Sequence, residues 1–190
     1  MKIKAIIFDF FGLLYPDTSW IFFENHQEAF GDDGEFLDRL NNEIDLGRIN
    51  HEQYYERLSE KTGIPVADIL AEITDRELNE ELVSSIRALK KSYKIGLLSN
   101  AGPHLLDILR KEKLIALFDV LTISYQHGVT KPNRQIFLNA AKELGVKPEE
   151  CIFIDDRLVN TEAAEKLGMQ TIYYQNVGQY KEDLKELLHA

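Results

Sequence analysis

Four short stretches carry the side chains of this 190-residue chain that could do chemistry, and they are spread along its whole length. In "KAIIFDFFG" the carboxylate of Asp9 ends an apolar run, and Phe11 and Gly12 follow it. A carboxylate embedded in such a run needs a partner, because burying a lone charge is costly. "GLLSN" brings a hydroxyl and an amide, Ser99 and Asn100, to the end of a second apolar run. "GVTKPNRQIF" holds an ammonium, Lys131, and "CIFIDDRLVN" holds the adjacent acids Asp155 and Asp156, with Asn160 shortly after. Taken singly, a Ser-Asn pair is a common turn and Lys131 a solvated loop lysine. An acid pair can also sit at a helix N-terminus, favoured by the dipole. Two carboxylates directly after an apolar strand are a stronger signal for a hard cation, which takes oxygen ligands.

The elements between these stretches must position them. "IKAIIFDF" is short, β-branched and continuously apolar, as a strand covered on both faces should be. From residue 17 the pattern turns helical. Asp17 can cap a helix whose apolar side includes Trp20, Phe23 and Phe30, and "EFLDRLNNEIDL" stops at Gly47. Asn50 and Gln53 form a capping-box pattern, and Pro65 suits the first turn of "PVADILAEIT". Four short helices thus fill about residues 18–78, with no strand among them. After residue 79 helices alternate with the strands "YKIGLLSN", "DVLTIS", "ECIFIDD" and "QTIYY". Alternation of this kind predicts right-handed crossovers and a parallel, Rossmann-like α/β sheet. Ligands in such sheets gather at the carboxyl ends of the strands. Asp9, Ser99, Asn100, Asp155 and Asp156 all fall there, with Lys131 in a loop before a helix.

Composition narrows the classes. The formal net charge of −10 argues against a nucleic-acid binder, which would need a basic footprint. Cys151 is the only cysteine, so no intrachain disulfide forms, and a reducing, cytoplasmic setting is expected. The five histidines show no ligand-type spacing, which leaves no zinc pattern. No apolar run reaches membrane length. The sequence sets no oligomeric state.

The order D-x-x-G, apolar-S-N, K-P, apolar-D-D-x-x-x-N resembles the haloacid dehalogenase (HAD) superfamily of hydrolases over essentially the whole chain. "FDVLTIS" before the lysine loop and "NTEAAEKLGMQTI" after the acid pair match as well. The resemblance implies a HAD-like core over residues 1–16 and 79–190, with a small α-helical cap inserted at 17–78. It implies that Asp9 is a nucleophile forming an aspartyl-phosphate on a small phosphorylated substrate. It also implies that Asp9, Asp155, Asp156 and the backbone carbonyl of Phe11 hold Mg²⁺. Lys131 would offset charge on the transferring phosphoryl group, while Ser99 and the Asn100 amide bind its oxygens. Asn160 would orient the acid-pair loop, and Gly12 would let the chain turn into the cap.

The chain departs from the phosphatase pattern at one telling place. Most phosphatases of the superfamily have D-x-D in the first motif, and the second Asp moves the proton. Here that position is Phe11, and Leu13 stands where Thr or Val is common. A positioned proton donor is worth about 10²–10⁴ in rate. Three readings compete: a phosphatase restricted to good leaving groups or borrowing a donor (Tyr15, His26, His104 or His127), a phospho-ligand or partner-binding protein, and a 2-haloacid dehalogenase. The dehalogenase branch carries an aromatic residue at this place but lacks the double Asp, which favours the Mg²⁺-dependent phosphatase.

Overall fold

The computed structural model describes residues 2–31, 33, 35–74 and 77–189. Strand β1 (Ala5–Phe8) is followed by five helices, α1 (Thr18–Asn25), α2 (Gln27–Phe30), α3 (Phe36–Asp45), α4 (His51–Thr62) and α5 (Val66–Thr74). Then come α6 (Glu80–Leu89), β2 (Lys94–Ser99), α7 (His104–Lys111), β3 (Val120–Ile123), α8 (Ser124–His127) and α9 (Arg134–Glu143). β4 (Cys151–Asp155), α10 (Leu158–Glu165), β5 (Gln170–Tyr173) and α11 (Val177–His189) complete the chain. The five strands form one sheet in the order β3-β2-β1-β4-β5, every neighbouring pair parallel.

β1 is central and wholly buried, which explains its unbroken apolar sequence. Its side chains still alternate between faces. Ile6 and Phe8 pack with Leu82, Val83 and Ile86 of α6, Leu105 and Leu109 of α7, and Tyr180 and Leu184 of α11. Ala5 and Ile7 pack on the other face with Ile136, Phe137 and Ala140 of α9 and Ala164 of α10. The result is the expected α/β/α sandwich, with a topological switch between β1 and β4. After β1 the chain runs to β2 and β3 on one side, then crosses to β4 and β5 on the other.

Helices α1–α5 enclose a separate apolar cluster of Phe22, Phe30, Leu37, Leu40, Ile44, Tyr54, Leu58 and Ile69. Local signals set their ends. Asp17 caps α1 by accepting from the Trp20 amide (3.2 Å), and Asn50 and Gln53 close a reciprocal capping box on α4. One expectation needs correction here. Trp20 is 50% exposed, stacks on Phe23 and donates its indole N–H to Glu24 Oε1 (3.0 Å), while Phe22 takes the buried place. The helix breaks at His26, so 3.6-residue spacing does not carry through to Phe30. "DVLTIS" also ends as a strand at Ile123, because Ser124 opens α8. Among the described residues no helix is long and apolar enough to cross a membrane.

Candidate active site

The carboxyl ends of β2, β1 and β4 lie side by side and deliver Ser99, Asp9 and Asp155 to one rim. Asp9 follows β1 directly, and its amide donates to the Ile154 carbonyl (2.9 Å), which fixes its height against β4. The loop after Asp9 is a tight turn. The amides of Leu13, Leu14 and Tyr15 all close on the Phe10 carbonyl, and Gly12 donates to the Tyr15 carbonyl (2.8 Å). None of these donors is directed at the Phe11 carbonyl. Gly12 has φ +82°, and a Cβ built on it would lie 2.0 Å from Asp156 Oδ2. Glycine is therefore required twice, for the left-handed backbone and for the close approach of Asp156.

Lys131 is the hub of this rim. Its ammonium lies 2.8 Å from Asp9 Oδ2 and 2.7 Å from Asp155 Oδ2, with all three side chains almost sealed from solvent. The loop that carries it is clamped by Asn100, whose Oδ1 accepts from the Lys131 amide (2.7 Å) and whose Nδ2 donates to the Lys131 carbonyl (3.0 Å). This positioning contact was not foreseen from sequence, where only the Asn100 amide drew notice. Asn160 donates to both oxygens of Asp155 (2.9 and 3.1 Å), and the Arg157 amide donates to Oδ1 (2.8 Å). The hydroxyl of Ser99 is buried and has no hydrogen-bond partner among the described residues. Buried polar groups are almost always hydrogen-bonded, which makes this hydroxyl unusual.

Electrostatics point to a missing counter-charge. Asp9, Asp155 and Asp156 each offer an oxygen within 4.8 Å of the others. One ammonium cannot balance three carboxylates. Burial pushes the Asp9 carboxyl well above its ordinary value; Lys131 pulls it down and Asp155 pushes it up again. Burial and Asp155 raise Asp156 to about 6. Burial alone would lower Lys131, but Asp155 and Asp9 outweigh it and hold the ammonium above its usual range. An oxygen-only cluster of this charge fits a small divalent cation.

Asp9, Phe11, Asn100, Lys131, Asp156 and Asn160 face a cavity of about 850 Å³ roofed by helices α1, α3, α4 and α5. The ring of Phe11 stands in that cavity wall, stacked on His104 with centroids 5.9 Å apart. His104 packs in turn against His51 (4.2 Å), and burial and His51 hold its imidazole down at about 3, so it is neutral. Of the other donors considered from sequence, Tyr15 lines the cavity with its ring stacked on Phe10. His26 is paired with Glu72 (2.7 Å) and His127 lies 3.5 Å from Glu143, and neither faces the cavity. The helical side contributes Phe22, Tyr54 and Tyr55, which serve both their own core and the cavity.

Comparison with known proteins establishes the family. Residues 3–168 match the haloacid dehalogenase-like hydrolase family, and the chain belongs to it. It is 26% identical over 99% of its length to the whole of the D-ribitol-5-phosphate phosphatase of Bacteroides thetaiotaomicron. It is 27% identical over 90% of its length to 83% of the glyceraldehyde 3-phosphate phosphatase of Methanopyrus kandleri. It also matches 18% of the length of mouse acyl-CoA dehydrogenase family member 10, at 29% identity over 89% of this chain. A solved HAD-like family hydrolase from Porphyromonas gingivalis superposes with a TM-score of 0.76 at 29% identity, each chain covered in full. The protein is a hydrolase of the HAD type.

Proposed function

We propose that the protein is a Mg²⁺-dependent phosphatase that transfers the phosphoryl group of a small phosphate monoester to Asp9. One observation carries this reading. Asp9, Asp155 and Asp156 offer oxygens within 4.8 Å of one another, and a single buried ammonium, Lys131, pairs with the first two. That is a site built for a cation and a dianion together. Two of the matched relatives are phosphatases of small phosphorylated molecules, which supports the same substrate class. The cap is taken as residues 17–78 and the catalytic core as 1–16 and 79–190.

Each residue has a physical task. Asp9 attacks phosphorus, splitting hydrolysis into formation and breakdown of an acyl-phosphate. Lys131 neutralises charge on the phosphoryl oxygens during transfer and is held in place by Asn100. Ser99 and the Asn100 amide bind those oxygens. Asp9, Asp155, Asp156 and the Phe11 carbonyl would hold Mg²⁺, with Asn160 orienting Asp155. When bound, the metal lets an anionic nucleophile approach an anionic phosphoryl group.

The dehalogenase reading is disfavoured by the same three carboxylates, because a cation held beside Asp9 would weaken it as a nucleophile towards carbon. The test is release of 4-nitrophenol from its phosphate with Mg²⁺ and after chelation, alongside chloride release from 2-chloropropionate. Phosphatase turnover that needs Mg²⁺ is expected, with no chloride. Turnover indifferent to chelation, or chloride release, would overturn the proposal.

A further inference from the structure

Among the described residues of the core, every carboxyl lining the cavity is either in the set proposed for the metal or paired, as Asp107 is with Arg110. Phe11 presents a ring to the cavity, His104 is neutral beneath it, and Lys131 is committed between Asp9 and Asp155. Asp156 belongs to the carboxylate set proposed for the metal. The alkoxide that departs with the ester oxygen must therefore take its proton from the other wall.

We infer that Asp45, the last residue of α3, is the proton donor and acceptor of the reaction, supplied by the cap in place of the core acid replaced by Phe11. Asp45 lines the cavity that contains Asp9 and Lys131. Its main chain is pinned to the core. The Ser124 hydroxyl donates to the Asp45 carbonyl (2.6 Å) and accepts from the Ala101 amide (2.9 Å), two residues beyond Ser99. At Gly102 a Cβ would lie 3.2 Å from the Ile44 carbonyl, so the end of α3 sits directly on the loop that follows β2. The cap acid is thus held in register with the phosphoryl site by contacts with that loop and not by cap packing alone.

The Asp45 carboxyl makes no hydrogen bond or ion pair with any described residue; Asp38, the other such acid lining the cavity from α3, is exposed. Asp17 is occupied as the cap of α1, and Asp107 is paired with Arg110. The groups facing Asp45 are Asp17 at the start of α1, Tyr54 on α4, Lys131 before α9 and Arg157 before α10. Burial and Asp17 raise its carboxyl to about 7, against the pull of Lys131 and Arg157. An acid balanced near neutrality can both give and take a proton.

The inference rests on the phosphatase reading, and its chemistry balances. As Asp9 attacks, the phosphorus–ester oxygen bond breaks and the Asp45 acid protonates that oxygen, releasing the alcohol and leaving an Asp45 carboxylate. The carboxylate then takes a proton from water as the water oxygen attacks phosphorus. The acyl-phosphate bond breaks, hydrogen phosphate leaves, and Asp9 and the Asp45 acid are restored.

Two substrates of similar shape separate the outcomes. Benzyl phosphate needs a protonated leaving group, whereas 4-nitrophenyl phosphate releases a stable phenolate. For Asp45→Asn we expect kcat/KM for benzyl phosphate to fall about 10²–10⁴-fold. For 4-nitrophenyl phosphate it should change less than about tenfold, with a burst of nitrophenol and accumulation of phosphorylated protein as the second step slows. Asp45→Ala should behave alike, and circular dichroism confirms that each variant is folded. Equal losses for both substrates, or no loss for benzyl phosphate, would overturn the role of Asp45 while leaving the phosphatase reading standing. Wild-type protein that hydrolyses neither substrate would overturn both.

Discussion

The core rim and the cap wall face each other across one cavity, and they are built on opposite principles. On the rim nearly every polar atom is committed: Lys131 bridges two acids, Asn160 holds Asp155 by both oxygens, and Asn100 clamps the lysine loop. On the cap wall, aromatic, aliphatic and neutral polar side chains line the cavity together with Asp45, whose carboxyl has no partner among the described residues. The rim handles the phosphoryl group, common to every substrate, and requires fixed geometry. The wall meets the leaving group, which varies, and in this account it also supplies the proton. Moving that proton from core to cap ties turnover to cap docking. A substrate must be enclosed before its alcohol can leave.

The largest effect expected from breaking this division is at Asp9. Asp9→Asn should lower kcat for any phosphate ester by about 10⁴–10⁶-fold, whatever the leaving group. Lys131→Met comes next. It should cost about 10²–10³ in kcat. It also leaves the acids without their cation, lowering stability by about 3–5 kcal/mol in chemical denaturation. Part of that stability should return on adding Mg²⁺, since a cation bound only by the folded chain stabilises it; no recovery would count against a metal among these carboxylates.

A smaller effect, of opposite sign, distinguishes the cap wall. Asp45 binds its proton more tightly when folded, at about 7, than at its ordinary value of 3.8. The folded chain therefore holds the extra proton between those values, and stability falls as pH rises through them. The cost is complete above about 7 and absent below about 4. Asp45→Asn removes it, so Tm should rise by a few degrees at pH 8 and stay unchanged at pH 4. A Tm that drops at both pH values would mean that Asp45 is structural.

Much of the rim was legible in the sequence because its acids and Ser99 interrupt or end apolar runs. Asp9, Ser99, Asp155 and Asp156 stand out against strands that have no other reason to carry polar groups. Lys131 and Asn160 were found through motif order, and the clamp from Asn100 was not, because a side chain's partner in a distant loop leaves no local trace. The wall was far less legible. In "EFLDRLNNEIDL" Asp45 is one charge among several on an amphipathic helix and reads as solvated. Only the docking of the α3 end on Ser124 and Gly102 turns it inward. Trp20 and Phe22 mislead in the same way. Helical spacing marks an apolar face, but which ring is buried depends on where the helix breaks and on a surface partner for the indole N–H.

The central claim is that the buried carboxylate of Asp9 takes up the phosphoryl group. Acid-quenching the protein with Mg²⁺ and 4-nitrophenyl phosphate during turnover, followed by peptide mass spectrometry, tests it directly. The account predicts one acid-stable phosphate on the peptide containing Asp9, more abundant in Asp45→Asn and absent in Asp9→Asn. Turnover with no phosphorylated peptide at any quench time, or undiminished turnover in Asp9→Asn, would contradict it.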